Sequence, residues 1–171
     1  MSESNVKTLI WDNKSLKLID QRKLPFEEVY VDCKTADDVG IAIKDMVVRG
    51  APAIGVTAAY GAALAARQYT GNVLSEFRRF LGEKLQMLAD TRPTAVNLFW
   101  AIDKMKGIIK KVLSEGNSYP SDAGLINAVK DRLAAEAQNI EKQDLDINLR
   151  LGQNGAAIFA AKTDKLKILT H

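Results

Sequence analysis

The stretch VVRGAPAIGVTAAYG, Val47–Gly61, sets an arginine, a glycine and a proline at the seam between two apolar runs, and its reading decides the fold. Pro52 suits the first turn of a helix, because its missing N–H would have had no intrahelical partner, and Gly50 lets the backbone bend sharply just before it. The run from Pro52 to about Gln68 is rich in alanine, which predicts a helix able to pack closely against several neighbours and therefore a central one. The first N–H groups of such a helix point out of its end with partial positive charge. With the guanidinium of Arg49 beside them, they form a corner suited to phosphate or another small anion.

The same arrangement returns at Thr91-Arg92-Pro93-Thr94, where an arginine again precedes a proline at an expected helix start. That helix is expected from about Pro93 to Ser114. Two such corners could grip one anionic substrate. The plain alternative is that each arginine is a solvated surface residue, and local pattern alone leaves both readings open.

Working outward, residues 1–32 read as short strands. KTLIW (Lys7–Trp11) and SLKLI (Ser15–Ile19) flank Asp12-Asn13-Lys14, which has the chemistry of a hairpin turn, and EVYVD (Glu28–Asp32) alternates like a third strand. Thr35 with Asp38 forms a capping box for a helix expected to reach about Val48. Another is expected from Val73 to Asp90, with Phe77, Phe80, Leu81, Leu85 and Leu88 at helical spacing. Gly116-Asn117-Ser118-Tyr119-Pro120 breaks the pattern. Two further helices are expected, Ser121 to Glu141 and about Asp144 to Ala161, the second with Gly152, Gly155, Ala156 and Ala160 on a face flat enough for close packing. Leu166–Thr170 reads as a buried strand. It either joins the N-terminal hairpins as an antiparallel edge or, in the preferred reading, opens a second domain of which the chain holds only the beginning.

Composition narrows the function classes. The chain has 171 residues, 47% of them hydrophobic, enough to bury a core of its own. A net charge of +3, with no basic stripe carrying interleaved aromatics, argues against a nucleic-acid surface. One cysteine excludes an internal disulfide, and one histidine leaves no cluster at metal-ligand spacing, so a reducing cytosol fits. Neither a secretory leader nor a membrane span is evident. Cys33 reads as a packing residue rather than a nucleophile. Met46, Met87, Met105, Phe99 and Trp100 read as core, Lys104 to Lys111 as a solvated helix face, and Asp144 with Asp146 as helix-start chemistry.

At these residues a resemblance becomes specific. VVRGAPAIGVTAAYG together with TRPTAVNLFWAID (Thr91–Asp103) closely resembles the methylthioribose-1-phosphate isomerase family, which is related to the regulatory subunits of the translation-initiation guanine-nucleotide exchange factor. The resemblance runs from LIWDNKSLKLIDQRKLP to GAAIFAAKTDKLKILTH, nearly the whole chain. It implies an α+β N-terminal domain of small β-hairpins and a helical bundle over residues 1–120, long connecting helices over 121–161, and the first strand of a Rossmann-like α/β domain over 162–171. It further implies that Arg49, Gly50, Ala51 and Arg92 bind the phosphate of a phosphorylated pentose. The family's catalytic cysteine and aspartate would lie beyond His171, so the chain itself would hold no catalytic residue and act only with the remaining half of the enzyme.

The implied reaction turns 5-methylthioribose 1-phosphate into 5-methylthioribulose 1-phosphate in methionine salvage, with no redox cofactor and no metal, in a cytoplasmic homodimer without nucleic-acid or membrane partners. Two alternatives stay open. One is a sister isomerase for ribose 1,5-bisphosphate. The other is a non-catalytic module like the exchange-factor subunits.

Overall fold

The computed structural model describes residues 6–160 and Lys167. Its sheet is a three-stranded antiparallel meander of β1 (Leu9–Trp11), β2 (Leu16–Ile19) and β3 (Tyr30–Cys33), in that order. Five helices follow: α1 (Ala36–Lys44), α2 (Ala51–Gln68), α3 (Leu74–Ala89), α4 (Val96–Ser114) and α5 (Asp122–Ala160). The Asp12 carboxylate sets the first hairpin by accepting the N–H groups of Lys14 and Ser15 at 2.8 and 2.7 Å, while Asn13 takes the left-handed conformation at φ 69°. The register places Trp11 opposite Leu16, and Leu16 opposite Cys33. Leu16, Leu18 and Cys33 all enter the core, so Cys33 is the packing residue its position predicts. Burial pushes its thiol up to about 12, which keeps it protonated and unreactive.

α2 is the central element. Every residue from Ile54 to Ala66 is buried, and the helix packs against α1, α3, α4 and α5. Small side chains make that possible, because alanine and glycine let neighbouring backbones approach from several sides. At Gly61 an added Cβ would lie 2.9 Å from Val39 Cγ1 and 3.1 Å from Leu88 Cδ1, so glycine is what allows α1 and α3 to meet α2 there.

Several boundaries differ from expectation. α1 stops at Lys44 rather than Val48. Met46 turns left-handed at φ 60°, its N–H reaching the Ile43 carbonyl at 3.3 Å and the Val47 N–H reaching that of Ala42 at 2.9 Å. This pair of bonds is the helix-ending pattern usually built on glycine, and apolar periodicity does not reveal it in Val47 and Val48, which are buried beyond the helix end. Met46 is therefore 44% exposed rather than core. Met105 is fully buried and Met87 half-buried.

α4 begins at Val96, not Pro93. Pro93 and Thr94 lie in a turn closed by the Ala95 N–H on the Arg92 carbonyl at 3.0 Å, a setting that uses the fixed φ of proline as well as a helix start does. The inward stripe of α4 is Leu98, Ala101, Ile102 and Met105, which turns Phe99 and Trp100 outward at 37% and 50% exposure, against the expectation of core. Trp100 instead carries the Lys104 ammonium 5.4 Å from its ring centre.

α5 is one continuous helix rather than two, because nothing between Glu141 and Asp146 forces a break. Asp144 and Asp146 accordingly lie inside a helix and do not start one, and the Asp144 carbonyl accepts the Asn148 side-chain amide at 2.9 Å. Gly152 and Gly155 face open space among the described residues, so the close packing expected there is not seen. Apart from Lys167, the strand expected at Leu166–Thr170 lies outside the described residues.

Candidate anion-binding end of the bundle

The contacts of two glycines bring the two arginine loops to one end of the bundle. Gly40, one turn before the end of α1, packs against Met87 and Thr91 at the end of α3. Gly55, one turn into α2, sits under the start of α4, where its Cβ position is 3.1 Å from the Asn97 carbonyl oxygen. α1 and α3 therefore arrive at the end from which α2 and α4 depart. The Ala36 N–H on the Gln68 side chain at 3.0 Å fixes the opposite end of the α1–α2 pair.

At the first corner, Gly50 is the N-cap of α2 at φ 92° and ψ 130°. An added Cβ would meet nothing within 4 Å, so the backbone conformation and not space calls for glycine. No side chain caps this helix, and Pro52 stands in its first turn as the sequence predicts. Ala51 is exposed, as is Arg49, whose Nε donates to the Met46 carbonyl at 3.3 Å. Gln21 ties the corner to the sheet through its N–H on the Val47 carbonyl at 3.0 Å and its side-chain amide on the Arg49 carbonyl at 3.3 Å.

At the second corner, Arg92 is half-buried in the turn before α4, whose N-cap Ala95 also provides no side-chain cap. Among the described residues neither Arg49 nor Arg92 forms an ion pair. Two uncapped helix starts and two guanidiniums that form no ion pair among the described residues thus share one end of the bundle, an arrangement that suits an anion.

Sequence reasoning missed two features beside these corners. Asp20, almost fully buried, receives Arg22 in a two-pronged bond, with Nε at 2.8 Å and Nη2 at 2.7 Å. That guanidinium holds the Asp20 carboxyl below its usual range and braces the loop that carries Gln21. The second is a cleft of about 730 Å³ between β1, α2 and α5, which reaches Ala53 at the α2 start. Its floor includes Leu9, Trp11, Val56 and Tyr60, and its far wall Gln138, Glu141 and Lys142. Trp11 stacks on Tyr60 at 4.8 Å between ring centres. The Tyr60 hydroxyl donates to Glu141, and burial together with that carboxylate raises the phenol well above its ordinary range. Tyr60 and Glu141 stand 81 residues apart, so no local pattern could have paired them.

Among the described residues no group of three potential metal ligands occurs, and no helix is long and apolar enough to cross a membrane.

Residues 47–171 match the model of the Initiation factor 2 subunit family. Over 171 residues the chain is 43% identical to a methylthioribose-1-phosphate isomerase of Koribacter versatilis, covering 100% of this chain and 45% of that protein. It is 44% identical over 165 residues to the protein of the same name from Thermotoga neapolitana, covering 96% of this chain and 43% of that one. Among solved structures, a 5-methylthioribose 1-phosphate isomerase from Pyrococcus horikoshii superposes with a TM-score of 0.77 at 38% identity, over 89% of this chain and 40% of that one. Subunit delta of the translation initiation factor eIF-2B from A. fulgidus gives a TM-score of 0.70 at 36% identity, over 82% of this chain and 38% of that one. The chain spans less than half the length of the relatives it matches.

Proposed function

The chain belongs to the Initiation factor 2 subunit family, and from that premise we propose that it is the phosphate-holding part of an isomerase converting 5-methylthioribose 1-phosphate to 5-methylthioribulose 1-phosphate. What supports this reading is that the Arg49 and Arg92 loops, each before an uncapped helix start, lie at the same end of the bundle.

In this reading Arg49 and Arg92 position the phosphate charge, while Gly50 and Ala51 bring backbone N–H groups within reach of its oxygens. The chemistry explains why the phosphate must be held firmly. A phosphate on C1 prevents free opening to the aldehyde, so the ring must open with the phosphate attached before hydrogen moves between C2 and C1. A dry, closed site with an acid/base pair serves that reaction. The proton-moving groups would come from the part of the relatives' length that this chain does not span.

The wider setting follows from the same reading: residues 1–120 as the substrate-holding domain, 121–161 as the connection, 162–171 as the first strand of a Rossmann-like domain, and a cytoplasmic homodimer working in methionine salvage.

The test is isomerisation of methylthioribose 1-phosphate by a polypeptide of the relatives' full length. Arg92→Ala should lower kcat/KM by a factor corresponding to about 1.5–3 kcal/mol, the worth of a charge-assisted bond to substrate, and Arg49→Ala by a similar amount. The 171 residues alone should bind the sugar phosphate without turning it over. Unchanged kcat/KM in both variants would remove the arginines from the site, and turnover by the 171 residues alone would overturn the division of labour.

A further inference from the structure

The strap that follows β2 runs beside the loop that joins α1 to α2. Asp20 anchors it: the residue is almost fully buried, its N–H donates to the Val29 carbonyl at 2.7 Å, and its carbonyl accepts the Lys23 N–H at 3.0 Å. The two-pronged bond from Arg22 closes the strap on itself. Between these fixed residues stands Gln21, half-buried, which donates to the α1–α2 loop twice, from its backbone to the Val47 carbonyl and from its side-chain amide to the Arg49 carbonyl.

The second of these bonds bears on one peptide. Among the described residues the cis peptide is Leu24–Pro25, so the Arg49–Gly50 peptide is trans and the Gly50 N–H points opposite to the Arg49 carbonyl. With that carbonyl held toward Gln21, the N–H is turned away from the strap, and it has no hydrogen-bond partner among the described residues. Glycine tolerates φ of either sign, so the peptide before Gly50 is one that can turn over without a clash at Cβ. Turned over, it would present a carbonyl oxygen where it now presents a donor. The Gln21 amide favours the orientation seen, because the turned-over peptide would set an N–H against its own N–H.

We propose that Gln21 is a positioning residue of the anion corner: by holding the Arg49 carbonyl, its side-chain amide keeps the Gly50 N–H available to a phosphate oxygen beside the Ala51 N–H at the start of α2. This rests on the reading of Arg49, Gly50, Ala51 and Arg92 as the phosphate grip. Gln21 carries no charge and does not touch the ligand, so its effect passes through the backbone. A phosphate that met the turned-over peptide would face an acceptor with an acceptor. Removing the amide shifts the balance toward that orientation by the worth of one neutral hydrogen bond, and the apparent affinity falls with the fraction of chains that present the donor.

The test is a titration of the full chain with inorganic phosphate, followed by the amide resonance of Gly50 and the guanidinium Nε–H resonance of Arg92. In the wild type both should move. Gln21→Met keeps the backbone bond to Val47 and the length of the side chain but cannot donate, and Gln21→Asn keeps the amide but falls one methylene short, so the second serves if the first does not fold. Each should weaken phosphate binding by about three- to tenfold, and in each the Gly50 shift at saturation should shrink while the Arg92 shift stays. A merely structural role would lower the melting temperature and leave the affinity of the folded chain and the Gly50 shift as they are; that result would overturn the proposal and leave the phosphate grip standing. So would an equal loss of the Gly50 and Arg92 responses, which would mean that the whole end of the bundle had loosened. Absence of both responses in the wild type would overturn the phosphate grip itself, and the role of Gln21 with it.

Discussion

Replacing Gly61 by alanine sets one methyl group where α1, α2 and α3 meet. The new Cβ would lie 2.9 Å from Val39 Cγ1 and 3.1 and 3.3 Å from the two Leu88 Cδ atoms, all closer than carbon atoms in packed interiors normally approach. Val39 and Leu88 are both fully buried, so neither can swing away without pressing on the core behind it. Helix propensity works the other way, favouring alanine over glycine by about 1 kcal/mol, whereas forcing a group into a packed core costs about 1–3 kcal/mol. The packing term wins, and Gly61→Ala should destabilise the chain by about 1 kcal/mol. Gly82 provides the control, because its Cβ would meet nothing. There only propensity acts, and Gly82→Ala should stabilise by about 0.5–1 kcal/mol. The same substitution in two helices is thus expected to shift stability in opposite directions. Urea unfolding followed by circular dichroism measures both, and in thermal melts the two variants should separate by roughly 4–8 °C for a chain of this size. A Gly61→Ala variant as stable as the wild type would refute the reasoning that glycine sets the distance of α1 and α3 from α2.

Met46→Gly should raise the melting temperature, by the equivalent of about 1 kcal/mol, because it relieves a left-handed methionine at an exposed helix end; no change would mean that the Met46 side chain offsets its own strain. Tyr60→Phe should cost about 1–2 kcal/mol in chemical denaturation by removing the hydroxyl that donates to the half-buried Glu141, while Trp11 still stacks on the ring. Asp20→Asn should destabilise most at neutral pH. The Asp20 carboxyl is held below its usual range when folded, so its contribution is complete above the unfolded value near ~4 and is lost as pH falls through the folded one; the wild-type and variant melting curves should therefore converge in acid, and a difference independent of pH would refute the Arg22 pairing as its cause. Cys33 should resist thiol reagents in the native chain at neutral pH and react once unfolded, as a half-time comparison in and out of denaturant would measure.

Much of the local structure is written in short windows of sequence. Asp12-Asn13-Lys14 specifies a hairpin because one carboxylate can satisfy two nearby N–H groups, and Thr35 with Asp38 specifies a helix start because each side chain caps the other's backbone. The alanine run after Pro52 specifies a central helix because small side chains permit contact on every side. These are interactions between residues a few positions apart, and periodicity and turn chemistry report them directly. The backbone of the proposed anion corner at Arg49, Gly50 and Ala51 belongs with them, since proline, glycine and arginine stand there within one turn.

The tertiary structure decided what depends on residues far apart in the chain. Whether Pro93 starts a helix or a turn rests on how the start of α4 seats on Gly55, and whether Phe99 and Trp100 are core rests on which stripe of α4 faces α2. α1 ends early because burial of Val47 and Val48 outweighs the strain of a left-handed methionine, a balance that no window around Met46 contains. The shared end of the two arginine loops and the pairing of Tyr60 with Glu141 are likewise products of helix packing. Short-range chemistry fixes which elements form and where most of them begin, whereas the distance between two sites is set by side-chain volumes at helix crossings, and those volumes act only once the helices have met.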